Sequence, residues 1–103
     1  MNKIILSADA VADLQEIKKY ISEELCNEAA ALSTLAKITK SIRQLELFAE
    51  CGKSLSETIG IDTDFRYLVC GNYLVFYTAS ENQIHVTRVL YARRNYLQIL
   101  FGE

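Results

Sequence analysis

The sequence predicts an α+β fold, in which two N-terminal antiparallel helices pack on a mostly antiparallel twisted sheet. Residues 11–45 carry apolar side chains every three or four positions, which is the period of an α-helix. Residues 65–101 contain three runs rich in Tyr, Val, Phe and Leu, separated by the turn-prone stretches 70–72 and 80–83. A chain of 103 residues has room for one compact core, so we expect a single domain over residues 1–103.

The first predicted elements are a short strand and a helix. Lys3–Leu6 is β-prone and predicts an edge strand. Ser7 is the predicted N-cap of the first helix, and Asp9 places negative charge in its first turn. The apolar stripe of this helix consists of Val11, Leu14, Ile17 or Lys18, Ile21 and Leu25.

A second helix and a loop follow. Asn27 interrupts the first helix and can cap the second one. The second apolar stripe consists of Ala31, Leu35, Ile38, Ile42 and Leu45. Phe48–Gly60 has no periodicity and contains several turn-prone Gly and Ser residues, so we expect a loop there.

The three expected strands are Phe65–Val69, Tyr73–Thr78 and Ile84–Leu90. Strict alternation divides the middle run into Leu74, Phe76 and Thr78 on one face and Tyr73, Val75 and Tyr77 on the other. It divides the last run into Ile84, Val86, Arg88 and Leu90 against His85, Thr87, Val89 and Tyr91. We expect the apolar face to meet the helices and the tyrosine face to be the working surface.

Composition limits the function classes. The formal net charge of −2 gives no general attraction to nucleic acid, so phosphate binding would need a local patch. The three cysteines contain no CxxC pair and there is one histidine, which predicts small buried thiols in a reducing cytosol and no metal site. No apolar run approaches the roughly 18 residues of a membrane span, and the N-terminal apolar run is too short for a signal peptide. We therefore expect a cytoplasmic protein.

Several polar and aromatic residues are candidates for function. Arg93 and Arg94 form a basic pair flanked by aromatic side chains, although paired arginines after a strand are often merely solvated. Tyrosines 67, 73 and 77 can stack on bases, but tyrosine also favours half-buried strand surfaces. His85 is a candidate base because histidine can transfer protons, but we favour a surface position without a chemical role. For Arg88 we favour a structural ion pair with Asp13 or Glu16.

Two motifs in the second half of the chain are specific enough to resemble a known family. Residues 65–77 read FRYLVCGNYLVFY and residues 88–96 read RVLYARRNY. Together with the order of elements, they resemble the RelE/ParE family of toxins from bacterial type II toxin–antitoxin systems. Many ParE-like members carry R-V-L-H-G-R-R-D-Y, where this chain has Tyr91 in the His position and Asn95 in the Asp position. A proline that commonly follows the family's phenylalanine is Ala49 here.

The resemblance implies a toxin that is neutralised by a cognate antitoxin, in what is also called a plasmid stabilisation system. RelE-like members cut messenger RNA on the ribosome, whereas ParE-like members poison DNA gyrase by binding it. We favour the gyrase inhibitor because Lys53 is the only cation of the 48–60 loop and Tyr73 replaces an expected arginine. A ribosome-dependent mRNA endonuclease is the alternative, and a non-toxic protein-interaction module is the second. No cofactor is expected.

The resemblance also indicates site residues. If the chain is a ribonuclease, the catalytic candidates are Arg66, Tyr91, Arg93, Arg94 and Tyr96. The target-binding candidates are Tyr73, Tyr77, Tyr91, Arg93 and Arg94. The apolar end of the chain either packs back on the core or forms a patch that the antitoxin covers. The antitoxin-binding candidates are accordingly Leu97, Ile99, Leu100 and Phe101.

Overall fold

Five strands form one sheet in the computed structural model, which describes residues 1–102. They are β1 (Lys3–Leu6), β2 (Lys53–Ser54), β3 (Arg66–Cys70), β4 (Tyr73–Ser80) and β5 (Gln83–Tyr91). Their order in the sheet is β1-β5-β4-β3-β2. β1 runs parallel to β5, and all other neighbours are antiparallel. The predicted α+β fold, the edge position of β1 and the meander of β3, β4 and β5 are therefore confirmed.

Two longer and two shorter helices accompany the sheet. They are α1 (Ala8–Lys19), α2 (Glu28–Arg43), α3 (Leu55–Ile59) and α4 (Tyr96–Phe101). A π-helical turn over Tyr20–Glu24 extends α1, and a 3₁₀ turn over Gln44–Glu46 extends α2. Both predicted caps are present. Ala10 N donates to Ser7 Oγ at 2.9 Å, and Ala30 N donates to Asn27 Oδ1 at 3.0 Å.

The segment expected to be a loop contains two short elements. Lys53–Ser54 forms β2 at the edge of the sheet, and Leu55–Ile59 forms α3. The loop prediction is therefore wrong for these residues. Ser54 caps α3 by accepting a hydrogen bond from Glu57 N, and Gly60 ends it in a left-handed conformation. α3 has five residues, which is too short for a repeating apolar pattern to be recognised in the sequence.

The main core lies between the sheet and the α1–α2 hairpin. Val75 and Tyr77 of β4 and Ile84, Val86 and Val89 of β5 face these helices. From the helices, the core receives Ala10, Ile17, Ile21, Ala31, Ile38, Ile42 and Leu45. Val11 and Leu25 of the first predicted stripe are exposed instead. The tyrosine face of β4 thus meets the helices, and its assignment as a working surface is wrong for Tyr77, which is buried.

A second apolar cluster covers the opposite face of the sheet. Its buried members are Leu55, Leu74, Phe76 and Leu90, and α4 adds partly buried side chains of Tyr96, Ile99 and Leu100. The sheet is therefore apolar on both faces, because α3 and α4 cover the side that the α1–α2 hairpin leaves open. Hydrophobicity alone could not show which face meets the longer helices.

The strict alternation predicted for the last strand is also wrong. Phe76 pairs with Arg88 while Tyr77 pairs with Val86, so Thr87 is an extra residue on β5. Such a bulge shifts the alternation by one position. Beyond it, Val89 faces the hairpin and Leu90 joins the second cluster.

One ion pair joins α1 to β5. Arg88 donates from Nε to Asp13 Oδ2 at 2.7 Å and from Nη2 to Oδ1 at 2.8 Å. Val89 N also donates to Asp13 Oδ2 at 2.9 Å. Asp13 is 4% exposed, and its hydrogen bonds raise the pKa of Arg88. The structural role predicted for Arg88 is confirmed, with Asp13 as its partner.

Candidate functional site

A cleft of about 660 Å³ opens between the helical hairpin and the ends of β4 and β5. Glu16, Tyr20 and Leu25 line it from the side of α1 and the π-helical turn. Tyr73 and Tyr91 line it from the sheet. The remaining lining residues are Asp13, Ile17, Ile21, Ala30, Thr34, Asn72, Val89 and Arg94. The cleft is thus a mainly apolar and aromatic hollow with a few charged side chains.

The π-helical turn forms one wall of the cleft. A π-helix closes its hydrogen bonds over five residues, as when Leu25 N donates to Tyr20 O at 3.2 Å. Ile21 stays buried in the core, while Tyr20 is 53% exposed and Leu25 is 56% exposed. Both exposed side chains line the cleft. The α-helical period of the sequence does not predict this exposure, because the π-helical turn breaks that period.

Two tyrosines form the opposite wall. Tyr73 and Tyr91 are cross-strand partners, and their ring centroids lie 5.9 Å apart at 66°. Burial raises the pKa of the Tyr73 phenol, and the neighbouring phenols of Tyr20 and Tyr91 raise it further. Tyr73 therefore stays a neutral phenol at physiological pH, where it can donate and accept hydrogen bonds.

The predicted basic pair lies at the mouth of the cleft. Ala92 N donates to Asn72 O at 2.8 Å and Arg94 N donates to Tyr91 O at 3.0 Å, which fixes the turn after β5. Arg93 and Arg94 are exposed on this turn, and the side chain of Arg94 lines the cleft. We call Tyr91, Arg93 and Arg94 the arginine corner.

Arg66 does not join the arginine corner. It pairs with Tyr77 in the sheet and donates from Nη1 to Gly52 O at 2.9 Å. Tyr91 pairs with Tyr73, four residues from Tyr77 along β4, which corresponds to about 13 Å of strand. The arginine expected to complete a catalytic group therefore lies away from the arginine corner, opposite the middle of β4.

Tyr96 lies on the other face of the sheet. Its ring packs on Phe76 with centroids 5.2 Å apart, within the second apolar cluster. Tyr91 faces the hairpin side with Tyr73. Of the five catalytic candidates, Tyr91, Arg93 and Arg94 are thus together, whereas Arg66 lies elsewhere along the strands and Tyr96 lies on the opposite face.

Tyr77 is a core residue and is not available to a target in this structure. Its side chain is 0% exposed. The hydroxyl donates to Ala49 O at 2.9 Å and accepts from Gly52 N at 2.9 Å. A Cβ on Gly52 would lie 2.5 Å from that hydroxyl, so this position has no room for a side chain. Burial raises the pKa of Tyr77, which keeps the hydroxyl protonated.

The apolar tail packs partly on the second cluster. Ile99 and Leu100 contact this cluster, and the Phe101 ring lies edge-on to Phe65 with centroids 5.9 Å apart. Leu97 is half-buried, and Phe101 remains 38% exposed. The tail therefore supports the fold with one side and leaves part of its apolar surface open.

The remaining candidates do not form a second site. His85 is exposed, and its Nε2 lies 3.2 Å from Gln83 Oε1. Cys26 and Cys51 are exposed and Cys70 is half-buried, so the prediction of buried thiols is wrong for the first two.

Within residues 1–102 no group of three potential metal-ligating side chains converges. In the same range, no helix combines the length and apolar composition needed to cross a membrane.

Residues 4–96 match the family described as "ParE toxin of type II toxin-antitoxin system, parDE". The chain belongs to this family of ParE toxins. The match covers β1 to the start of α4, including the cleft and the arginine corner. It confirms the RelE/ParE resemblance of the two sequence motifs.

A solved structure shares the fold of this ParE-family chain. It is titled "Chromosomal ParDE TA system from P. aeruginosa" and superposes with a TM-score of 0.75 at 18% sequence identity. The similarity covers 90% of this chain and 98% of that one. No match was found among curated proteins.

Proposed function

We propose that this ParE-family chain is the toxin of a type II pair, that it inhibits growth by binding DNA gyrase without hydrolysing it, and that a cognate antitoxin neutralises it. Family membership supports the role of toxin. The exposed arginine corner supports a binding function, because guanidinium groups and aromatic rings are common anchors of protein interfaces. We also propose that it acts in the cytoplasm, where gyrase is found.

The observation that carries the non-hydrolytic mechanism is the dispersal of the catalytic candidates. Cleavage of RNA by its own 2′-hydroxyl needs a base, an acid and phosphate-binding cations within reach of one phosphodiester. Arg66 is bound to the backbone at Gly52, and Tyr96 is packed on Phe76. Neither can join Tyr91 and Arg94 at the cleft without rearrangement of the fold. The net charge of −2 also favours a protein target over a polyanion.

The target is tested by inducing the chain from a tightly controlled promoter and following two readouts over the first minutes. We expect loss of plasmid supercoiling and induction of the DNA-damage response while messenger RNA stays intact. Messenger RNA with codon-phased breaks and normal supercoiling would instead establish the ribosome-dependent endonuclease. Normal growth at good soluble yield would indicate the non-toxic interaction module.

The arginine corner is tested with a charge-matched pair of double variants. Arg93→Ala/Arg94→Ala should reduce toxicity at least tenfold, measured as survivors after induction, because both guanidinium groups are exposed anchors. Lys37→Ala/Lys40→Ala removes the same charge from exposed positions on α2 and should retain full toxicity. Equal toxicity of both double variants would remove the arginine corner from the target-binding surface.

A further inference from the structure

We infer that Tyr96 is a positioning residue of the arginine corner: its ring, packed on Phe76, holds the turn that presents Arg93 and Arg94 to the target. The identity of that target rests on the proposed function. Tyr96 acts through its neighbours in the chain and does not itself touch the bound target. Its place in the site is therefore that of a support, on the face of the sheet opposite the cleft.

Two aromatic side chains hold the ends of the turn that follows β5. Tyr91 precedes the turn, and its ring lies edge-on to Tyr73 on the hairpin side of the sheet, with centroids 5.9 Å apart. Tyr96 follows the turn and packs on Phe76 on the opposite face, with centroids 5.2 Å apart. Both partners belong to β4, the central strand of the sheet. One strand therefore fixes both ends of the turn, each from a different face.

Backbone hydrogen bonds connect the turn to these anchors. Ala92 N donates to Asn72 O at 2.8 Å, which ties the turn to the residue before β4. Arg94 N donates to Tyr91 O at 3.0 Å, and Tyr96 N donates to Arg94 O at 2.8 Å. The last of these bonds joins Arg94 directly to Tyr96. A displacement of Tyr96 is therefore transmitted to the arginine through the backbone.

The direction of the two arginines depends on the backbone of this turn. Arg93 and Arg94 are exposed, and within residues 1–102 neither guanidinium is held by an ion pair. A turn that is already ordered loses less conformational entropy when it binds a partner than a mobile turn does. Tyr96 is half-buried against the second apolar cluster, so it can order the turn without occupying the exposed surface. Loss of its ring should therefore weaken target binding.

Inhibition of purified DNA gyrase by the purified chain tests this role. Tyr96→Ala should raise the concentration needed for half-inhibition of supercoiling by about tenfold or more, because the turn loses one anchor. Tyr96→Phe keeps the ring on Phe76 and should inhibit within about threefold of the unmodified chain. Ile59→Ala is the matched control, because Ile59 is another partly buried side chain of the second cluster but belongs to α3. It should also inhibit within about threefold of the unmodified chain. Circular dichroism confirms that the variants fold.

A double-mutant cycle distinguishes action through the arginine corner from a separate contact with the target. In the Arg93→Ala/Arg94→Ala background, Tyr96→Ala should add a further loss of less than about threefold, because the guanidinium groups that it positions are already absent. Losses that multiply in full would show that Tyr96 acts independently of the two arginines. That result overturns the positioning role.

Hydrogen exchange measures the order of the turn without any target. Tyr96→Ala should speed exchange of the Ala92 and Arg94 amides about tenfold or more, while the amides that pair β4 with β5 stay protected. Ile59→Ala should leave exchange in the turn unchanged. Unchanged exchange in Tyr96→Ala, or equal loss of inhibition in Tyr96→Ala and Ile59→Ala, overturns the role of Tyr96. If the unmodified chain does not inhibit gyrase, the proposed target is wrong, and the exchange measurement still decides whether Tyr96 orders the turn.

Discussion

Asp13 is the residue on which the contact between α1 and β5 depends most. Its buried carboxylate accepts two hydrogen bonds from Arg88 and one from Val89 N. Asp13→Ala leaves the Arg88 guanidinium without its counter-charge and Val89 N–H without an acceptor. We expect the free energy of unfolding to fall by about 3–5 kcal/mol, measured by urea denaturation. The exposed Asp9→Ala should cost less than about 1 kcal/mol, and an equal loss in both variants would contradict this role for Asp13.

The hydroxyl group of Tyr77 stabilises the core through hydrogen bonds to the backbone. Tyr77→Phe keeps the ring but leaves Gly52 N–H and Ala49 C=O without their partner. We expect a loss of about 1–3 kcal/mol in the free energy of unfolding, since buried polar groups would remain unsatisfied. Tyr20→Phe changes an exposed hydroxyl and should be nearly neutral. Equal thermal stability of the two variants would contradict this role of the Tyr77 hydroxyl.

At the scale of elements, α4 completes the fold on the side opposite the hairpin. Leu100 packs against the cluster of Leu55, Leu74, Phe76 and Leu90. Leu100→Ala should lower the free energy of unfolding by about 1–2 kcal/mol, because it removes a partly buried side chain from apolar contact. Gln98→Ala, at an exposed position of the same helix, is the control. Equal stability of the two variants in urea would show that α4 does not contribute to folding.

Because α4 packs on the second apolar cluster, a truncation of the tail does not test antitoxin binding alone. Truncation after Asn95 would remove Tyr96, Ile99 and Leu100 from the second cluster. A weakened complex after truncation would then reflect a damaged fold as well as a lost contact. Substitution of Phe101 alone disturbs the fold less than truncation does, because its side chain is 38% accessible and the other α4 side chains stay in place.

At the scale of the whole molecule, two tyrosines should make the free energy of unfolding decrease at alkaline pH. Burial is the main cause that raises the pKa of both Tyr73 and Tyr77 above the usual value of about 10. Above pH 10 the unfolded chain loses these protons first, so the folded chain binds more protons and its stability falls as pH rises. Absorbance at 295 nm should show tyrosines that ionise later than the exposed ones. Tyr73→Phe should reduce the loss of stability as pH rises above 10, and an unchanged pH dependence would contradict the shift.

Local patterns in the sequence determined the longer helices and strands of this protein. The caps at Ser7 and Asn27, the stripe of α2 and the three strands follow from neighbouring residues and are present as predicted. The motifs at residues 65–77 and 88–96 also indicated the family, and the match over residues 4–96 confirms it. Short-range hydrogen bonding and periodicity act within a few residues, so the sequence shows them directly.

Only the tertiary structure decided which surfaces remain exposed. The bulge at Thr87 shifts the faces of β5, and α3 and α4 cover the side that alternation had left open. Tyr77 is consequently buried, and Arg66 and Tyr96 are separated from the arginine corner. The cleft also depends on a π-helical turn that no apolar period reveals. Exposure is set by contacts between residues far apart in the chain, and such contacts leave no local pattern in the sequence.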